Sequence, residues 1–302
     1  MADPAAQAKQ TKRMPPGSSD DSPGAPGASP CVLVTRPQPQ ADAWVKALRA
    51  SGQAAAALPL LRIGAPLDAS AARASFDRLA QPASIAAVMF VSPSAVACWH
   101  ALAPAGWTWP DTVLAGSTGP GTCSALLAAG VPVDAIVTPP AEGGQFDSEA
   151  LWALMAARRA WAGATVLVVR GDGGRDWLEQ QLAAAGAQVQ FVSAYRRLPP
   201  RLDEAECASL ARALARPAEH CWLFSSSEAL SHLPALAPHA DWSSAKALAT
   251  HPRIAQMAIL TGFTQVALVT ADVVAVAAAL RAWPGSAVAE ATGPARYNQG
   301  SS

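Results

Sequence analysis

Val32-Leu33-Val34-Thr35-Arg36 returns as Val166-Leu167-Val168-Val169-Arg170, a shift of 134 positions along the chain. The same shift carries Gly52 to Gly186, Arg62 to Arg196 and Phe90-Val91-Ser92 to Phe224-Ser225-Ser226. A shift of 132 then links Pro120 to Pro252, Gly130 to Gly262 and Val137-Thr138 to Val269-Thr270, so a two-residue deletion separates the early and late parts of the match. Register kept over so many windows marks two copies of one α/β unit. Two such copies predict two similar lobes with a functional cleft between them.

Within the first copy, residues 32–35 read as a short buried strand, and Ala41, Trp44, Val45 and Leu48, spaced i, i+3, i+4 and i+7, as the core face of a helix that Gly52 ends. Residues 58–63 read as extended. Residues 87–91 form a second core strand that runs into Ser92-Pro93-Ser94, where Ser92 is placed to cap a helix and Pro93 to occupy its first position. Val113 and Leu114 begin a third strand, which leads through Gly119-Pro120-Gly121-Thr122 to a helix ending at Gly130, and residues 133–137 read as a fourth. The second copy repeats this order, with a glycine turn at Gly171-Asp172-Gly173-Gly174, a long extended segment at 188–195, and Ser225-Ser226-Ser227 and His251-Pro252-Arg253 after its later strands. Strands that alternate with helices predict an α/β fold, each lobe a parallel sheet covered on both faces.

Composition narrows the function classes. The 302 residues are 51% hydrophobic and carry 22 basic against 22 acidic side chains, enough apolar content for two domains of roughly 120 residues. With no long like-charge run, neither a nucleic-acid stripe nor a polybasic membrane patch is expected. Residues 1–30 are rich in Pro, Gly, Ala and Ser and read as a disordered tail without the apolar core of a signal peptide, and residues 285–302 read as a second tail. Cys31, Cys98, Cys123, Cys207 and Cys221 are odd in number, lack CxxC spacing and sit among apolar neighbours, which predicts buried, reduced thiols and a cytoplasmic protein.

Ligands of parallel sheets bind beyond the carboxyl ends of the strands, and the distinctive loops stand there. Small residues in those loops leave backbone N–H groups accessible at helix N-termini, where negative charge is favoured. A ligand with several carboxylates is therefore within reach of main-chain donors, hydroxyls and a few arginines. Ser92, Ser226 and Thr122 are also good helix caps, and Gly171, Gly173 and Gly174 can serve turn geometry alone. No P-loop lysine, dinucleotide fingerprint or nucleophile elbow occurs, and the five histidines show no metal-ligand spacing, so no metal or cofactor is expected. Tyr195 ends an extended segment whose partner in the first copy, Leu61, is apolar. The repeat is broken there, so one copy has room to acquire a role the other lacks, although a strand tyrosine with its hydroxyl at the surface fits the same position.

Taken in order, Val34-Thr35-Arg36-Pro37, the segment from Phe90 through Ser92-Pro93-Ser94 to Val96, Gly119-Pro120-Gly121-Thr122, Val169-Arg170-Gly171, Ala194-Tyr195-Arg196-Arg197, Phe224-Ser225-Ser226-Ser227 and His251-Pro252-Arg253-Ile254 resemble the uroporphyrinogen-III synthase family. The resemblance spans residues 32–283. It implies two α/β domains joined by a two-stranded antiparallel linker, one of them discontinuous: residues 31–58 plus 198–284, against 64–190, with 59–63 and 191–197 crossing between them. It also implies a cofactor-free closure of the linear tetrapyrrole hydroxymethylbilane, with loss of water and inversion of ring D, to uroporphyrinogen III.

By the same resemblance Tyr195 would hydrogen-bond or protonate the leaving hydroxyl, while Arg36, Ser92, Thr122 and Ser226, with Gly121, Gly171 and Arg253, would receive the acetate and propionate arms. A phenol is a weak acid at neutral pH, so its share of the rate should be tens- to hundreds-fold, roughly, with the remainder from holding a flexible chain in a reactive curl. A monomer is the expected state. The competing reading is a non-catalytic two-lobed binding protein for a polycarboxylate; an enzyme acting on a phosphorylated small molecule is a third.

Overall fold

The computed structural model describes residues 30–81, 84–140, 148–173 and 176–283. The tails expected over 1–30 and 285–302, Pro30 excepted, lie outside these residues, as do Gly174 and Tyr297. In chain order the elements are β1 (Cys31–Val34), α1 (Gln40–Ala50), β2 (Ala55–Ala57), β3 (Arg62–Gly64), α2 (Ser70–Leu79), β4 (Ala87–Phe90), α3 (Pro93–His100), β5 (Leu114–Ser117), α4 (Pro120–Ala128), β6 (Ile136–Val137) and α5 (Ser148–Ala156). The second half supplies β7 (Thr165–Gly171), α6 (Trp177–Ala184), β8 (Gln188–Leu198), α7 (Glu204–Ala215), β9 (His220–Phe224), α8 (Ser227–Ser231), α9 (Leu233–Leu236), β10 (Lys246–Ala249), α10 (Pro252–Thr261), β11 (Gln265–Leu268) and α11 (Val273–Arg281).

Two sheets result, and each is built from both copies of the repeat. One runs β2-β1-β9-β10-β11 and the other β8-β7-β4-β5-β6, with β3 added outside β8. The first two strands of one copy pair with the last three of the other. All of these pairings are parallel, apart from β3 on β8, where Arg62 faces Leu198 and Gly64 faces Arg196 in antiparallel register. β8 therefore serves twice: its first part pairs with β7, and its last three residues pair with the segment arriving from the other sheet.

Alternation along the central strands covers both faces. Val88 and Phe90 of β4 join a cluster with Trp99, Leu126, Leu167 and Val169, while Ala87 and Met89 point the other way, to Leu151, Met155, Val166 and Val168. In the other lobe Leu33, Trp222 and Phe224 face one side, and Val32, Val34, Cys221 and Leu223 the opposite one. Period-two alternation with both faces apolar is the signature of a parallel sheet between helix layers.

Three local expectations need correction. Residues 58–63 are not one extended strand: β2 lies upstream over three alanines, held by β1, and 58–61 cross between the sheets with Leu58, Leu60 and Leu61 buried. Of residues 133–137 only the last two form a strand, because Val133–Ala135 curl into a 3-10 turn after Pro132. The cysteines are free as expected, yet Cys207 on α7 is exposed and only Cys221 is fully buried.

Candidate active site

The carboxyl ends of both sheets face each other across a shared cavity of about 330 Å³, lined from one side by Arg36, Trp44, Ser225 and Ser226 and from the other by Ser92, Thr122, Tyr195 and Arg197. The helices that follow those strands begin at its wall. Ser92 caps α3, its Oγ accepting the Ala95 N–H at 3.1 Å, with Pro93 in the first turn; Ser226 caps α8 in the same way through the Ala229 N–H at 3.4 Å. Thr122 does not cap α4. Gly119 stands at that cap, and Thr122 lies inside the first turn, buried, on the cavity side. Gly121 is its neighbour at the wall.

Charge in the cavity has one sign. No Asp or Glu among the described residues lines it, whereas Arg36 and Arg197 do. The Arg36 guanidinium stacks 4.6 Å from the Trp44 ring, and its buried Nε has no hydrogen-bond partner among the described residues. Desolvation lowers its pKa from the usual arginine range to about 10, so it stays charged at neutral pH. A partly buried cation with no compensating anion favours an anionic ligand. Arg197 is already engaged: its Nε sits 2.5 Å from Glu228 Oε2 of α8, an ion pair between the lobes. A second tie between the lobes runs from Gln40 Nε2 to Ser94 Oγ at 2.9 Å.

Tyr195 is buried in the lobe that carries β8, its hydroxyl 3.1 Å from Ser92 Oγ, with its ring against Gly171. Gly171 does not line the cavity. A Cβ there would come within 2.7 Å of the ring, so this glycine makes room for the phenol. Arg170 beside it is engaged within the protein, bonded to Asp176 at 2.8 Å and Glu179 at 3.1 Å. Arg253 lies apart from the main cavity, in an adjoining pocket of about 490 Å³ that shares Ser225, Ser226 and Ala271 with it. Gln40, Trp44 and Arg197 reach the wall without having stood out in the sequence. Only Arg197 left a signal there, two residues beyond Tyr195 on the same face of a strand.

Among the described residues no His, Cys, Asp and Glu cluster suits a metal ion, and no helix is long and apolar enough to cross a membrane. Fold and cavity together define a two-lobed α/β protein with a cleft whose described lining holds two arginines and no carboxylate. The chain belongs to the uroporphyrinogen-III synthase family, whose members act on a tetrapyrrole: the family model described as uroporphyrinogen-III synthase HemD matches residues 42–277. A uroporphyrinogen-III synthase of Salmonella typhimurium strain LT2 is 34% identical over 181 residues, covering 58% of this chain and 68% of that relative. Among solved structures, a mutant uroporphyrinogen III synthase of the extremely thermophilic bacterium Thermus thermophilus aligns with a TM-score of 0.48 at 20% identity, over 78% of this chain and 91% of its own. Uroporphyrinogen-III synthetase of Helicobacter pylori 26695 gives 0.47 at 14%, over 82% and 98%.

Proposed function

We propose that this chain closes hydroxymethylbilane to uroporphyrinogen III in the cleft between its lobes, as a cyclising, dehydrating lyase, with Tyr195 as the proton donor. The observation that carries the proposal is the Tyr195 hydroxyl at the wall of a cavity that holds two arginines and, among the described residues, no carboxylate. In chemical order, the phenol gives its proton to the departing hydroxyl as the C–O bond breaks, and water leaves. The pyrrole nitrogen of the same ring loses its N–H proton as the azafulvene forms, and that proton restores the phenol. The substituted carbon of ring D then attacks the azafulvene, the spiro intermediate fragments and recloses with ring D inverted, and the proton released from the free α-carbon of ring D restores the N–H of the ring that bore the hydroxymethyl group.

Arg36 would take one carboxylate arm, its Nε having no partner among the described residues, and Thr122, Ser226 and the main chain at Gly121 would take others with Arg253 in the adjoining pocket, while Ser92 stands beside the Tyr195 hydroxyl. Gly171 is proposed to act through Tyr195 instead. A four-ring bilane exceeds the main cavity, so the lobes must part or the chain must extend into the Arg253 pocket. The strand order and the antiparallel pairing of Arg62–Gly64 support treating residues 31–58 plus 198–284 and 64–190 as separate domains, linked by 59–63 and 191–197. The active unit is proposed to be a cytoplasmic monomer. Family membership disfavours a purely binding role.

Incubating the purified protein with freshly made hydroxymethylbilane and resolving the isomers tests the proposal. Isomer III should predominate, and Tyr195→Phe should slow its formation by roughly tens- to hundreds-fold. Isomer I alone, the spontaneous product, would refute it.

A further inference from the structure

Ser92 has two partners, and its hydrogen bond to the second can run in either sense. Its Oγ accepts the Ala95 N–H at 3.1 Å and lies 3.1 Å from the Tyr195 hydroxyl. A hydroxyl that accepts a hydrogen bond becomes a stronger donor, because each bond polarises the next. If the phenol donated to Ser92, its proton would face the protein, and only lone pairs would be offered to a leaving group that needs a proton. We infer that Ser92 is a positioning residue for the cyclisation: it donates to the Tyr195 oxygen and so turns the phenolic proton into the cavity. The chain Ala95 N–H to Ser92 O–H to Tyr195 O–H then runs in one sense toward the departing oxygen. As that proton leaves, charge builds on the Tyr195 oxygen with the Ser92 O–H already aimed at it, the preorganised arrangement that lowers a barrier.

The repeat supplies an internal comparison. Ser226, the counterpart of Ser92, caps α8 through the Ala229 N–H, but the counterpart of Tyr195 is Leu61, so only one lobe carries the relay. Ser92 thus has a task beyond capping, and with its single proton given to Tyr195 it leaves the carboxylate arms to other donors. This inference rests on Tyr195 being the proton donor.

The test is a cycle of Ser92→Gly and Tyr195→Phe, singly and combined, assayed for isomer III with freshly made hydroxymethylbilane. Glycine is nearly as good a cap as serine, so the fold should survive, which thermal unfolding checks. Ser92→Gly should lower kcat about tenfold with KM unchanged, the effect of one hydrogen bond in the transition state. In the Tyr195→Phe background it should cost nothing further, and Ser92→Thr should restore the rate. An equal loss in both backgrounds, or a raised KM with kcat held, would overturn the inference while leaving the synthase reading intact. Wild-type protein that yields only isomer I would instead remove the reading beneath it. Should Ser92→Gly fail to fold, Ser92→Asp keeps the cap without a proton to donate; its added charge raises KM by repelling the substrate, so its effect on kcat with and without Tyr195→Phe alone decides.

Discussion

Gly171 lies directly beneath the ring of Tyr195: a Cβ at 171 would stand 2.7 Å from Cε2 and 2.8 Å from Cζ, closer than carbon atoms pack. The phenol keeps its place against Ser92 because that Cβ is missing. Gly171→Ala should therefore push the ring off its position, with a strain of about 1–3 kcal/mol. A lower thermal midpoint together with a lower kcat for isomer III is the expected result. An alanine variant with wild-type kcat would show that the ring tolerates displacement.

Arg36 is a desolvated cation stacked on Trp44 with no carboxylate beside it among the described residues. Arg36→Met keeps an apolar contact with the indole and removes the buried charge, so the ligand-free protein should melt at a higher temperature while KM rises roughly ten- to hundred-fold. Arg253→Ala should raise KM less, because Arg253 lines only the adjoining pocket. Above about pH 10, where burial places the folded pKa of Arg36, and below its higher unfolded value, the unfolded chain binds a proton that the native one does not. The contribution of Arg36 to stability consequently rises with pH in that window, and Arg36→Met should abolish the rise in an alkaline unfolding series.

The Arg197–Glu228 ion pair joins β8 to α8 across the cleft. Glu228→Gln should loosen the lobes and free Arg197 for a substrate carboxylate. Small-angle scattering should report a larger radius of gyration without ligand, and KM should fall about two- to five-fold, the range expected for a partly exposed pair. An unchanged radius would mean that the Gln40–Ser94 bond and packing suffice to hold the lobes.

Thiol chemistry should follow burial. Desolvation pushes the Cys221 pKa up to about 12 and raises those of Cys31, Cys98 and Cys123, whereas Cys207 is exposed. A thiol-disulfide reagent at neutral pH should label Cys207 first in the native protein and reach Cys221 only on unfolding. Prompt labelling of Cys221 would indicate that β9 opens easily.

Much of this arrangement was legible in the chain. The apolar runs of β1, β4, β7 and β9, the Ser92 and Ser226 caps and the break in the repeat at Tyr195 all announce themselves, because strand burial, capping and turn chemistry are local. Legibility failed where a neighbour decided. Three alanines have little tendency to form a strand, and Ala55–Ala57 do so because β1 offers its edge. Thr122 looks like a cap until Gly119 is seen to start the helix one turn earlier. Gly171 read as a turn or a binding loop, and its purpose appears only once a ring from the next strand lies on it. Trp44 looked like a core residue of a helix face, yet it carries a guanidinium at the cavity wall.

By itself the sequence determined that there are two α/β units, where their central strands and the Ser92 and Ser226 caps fall, and that one of them carries an extra tyrosine, since each of these follows from residue order within a few turns of chain. Which half-unit pairs with which is implied by the family resemblance and realised in the tertiary structure, and no local pattern sets it. A run of strands and helices has the same apolar pattern whether it folds on itself or exchanges halves with its duplicate, so no local signal separates the two. The exchange follows from the antiparallel meeting of Arg62–Gly64 with the end of β8, and through it Arg36 and Ser226 come to face Ser92 and Tyr195 across one cavity.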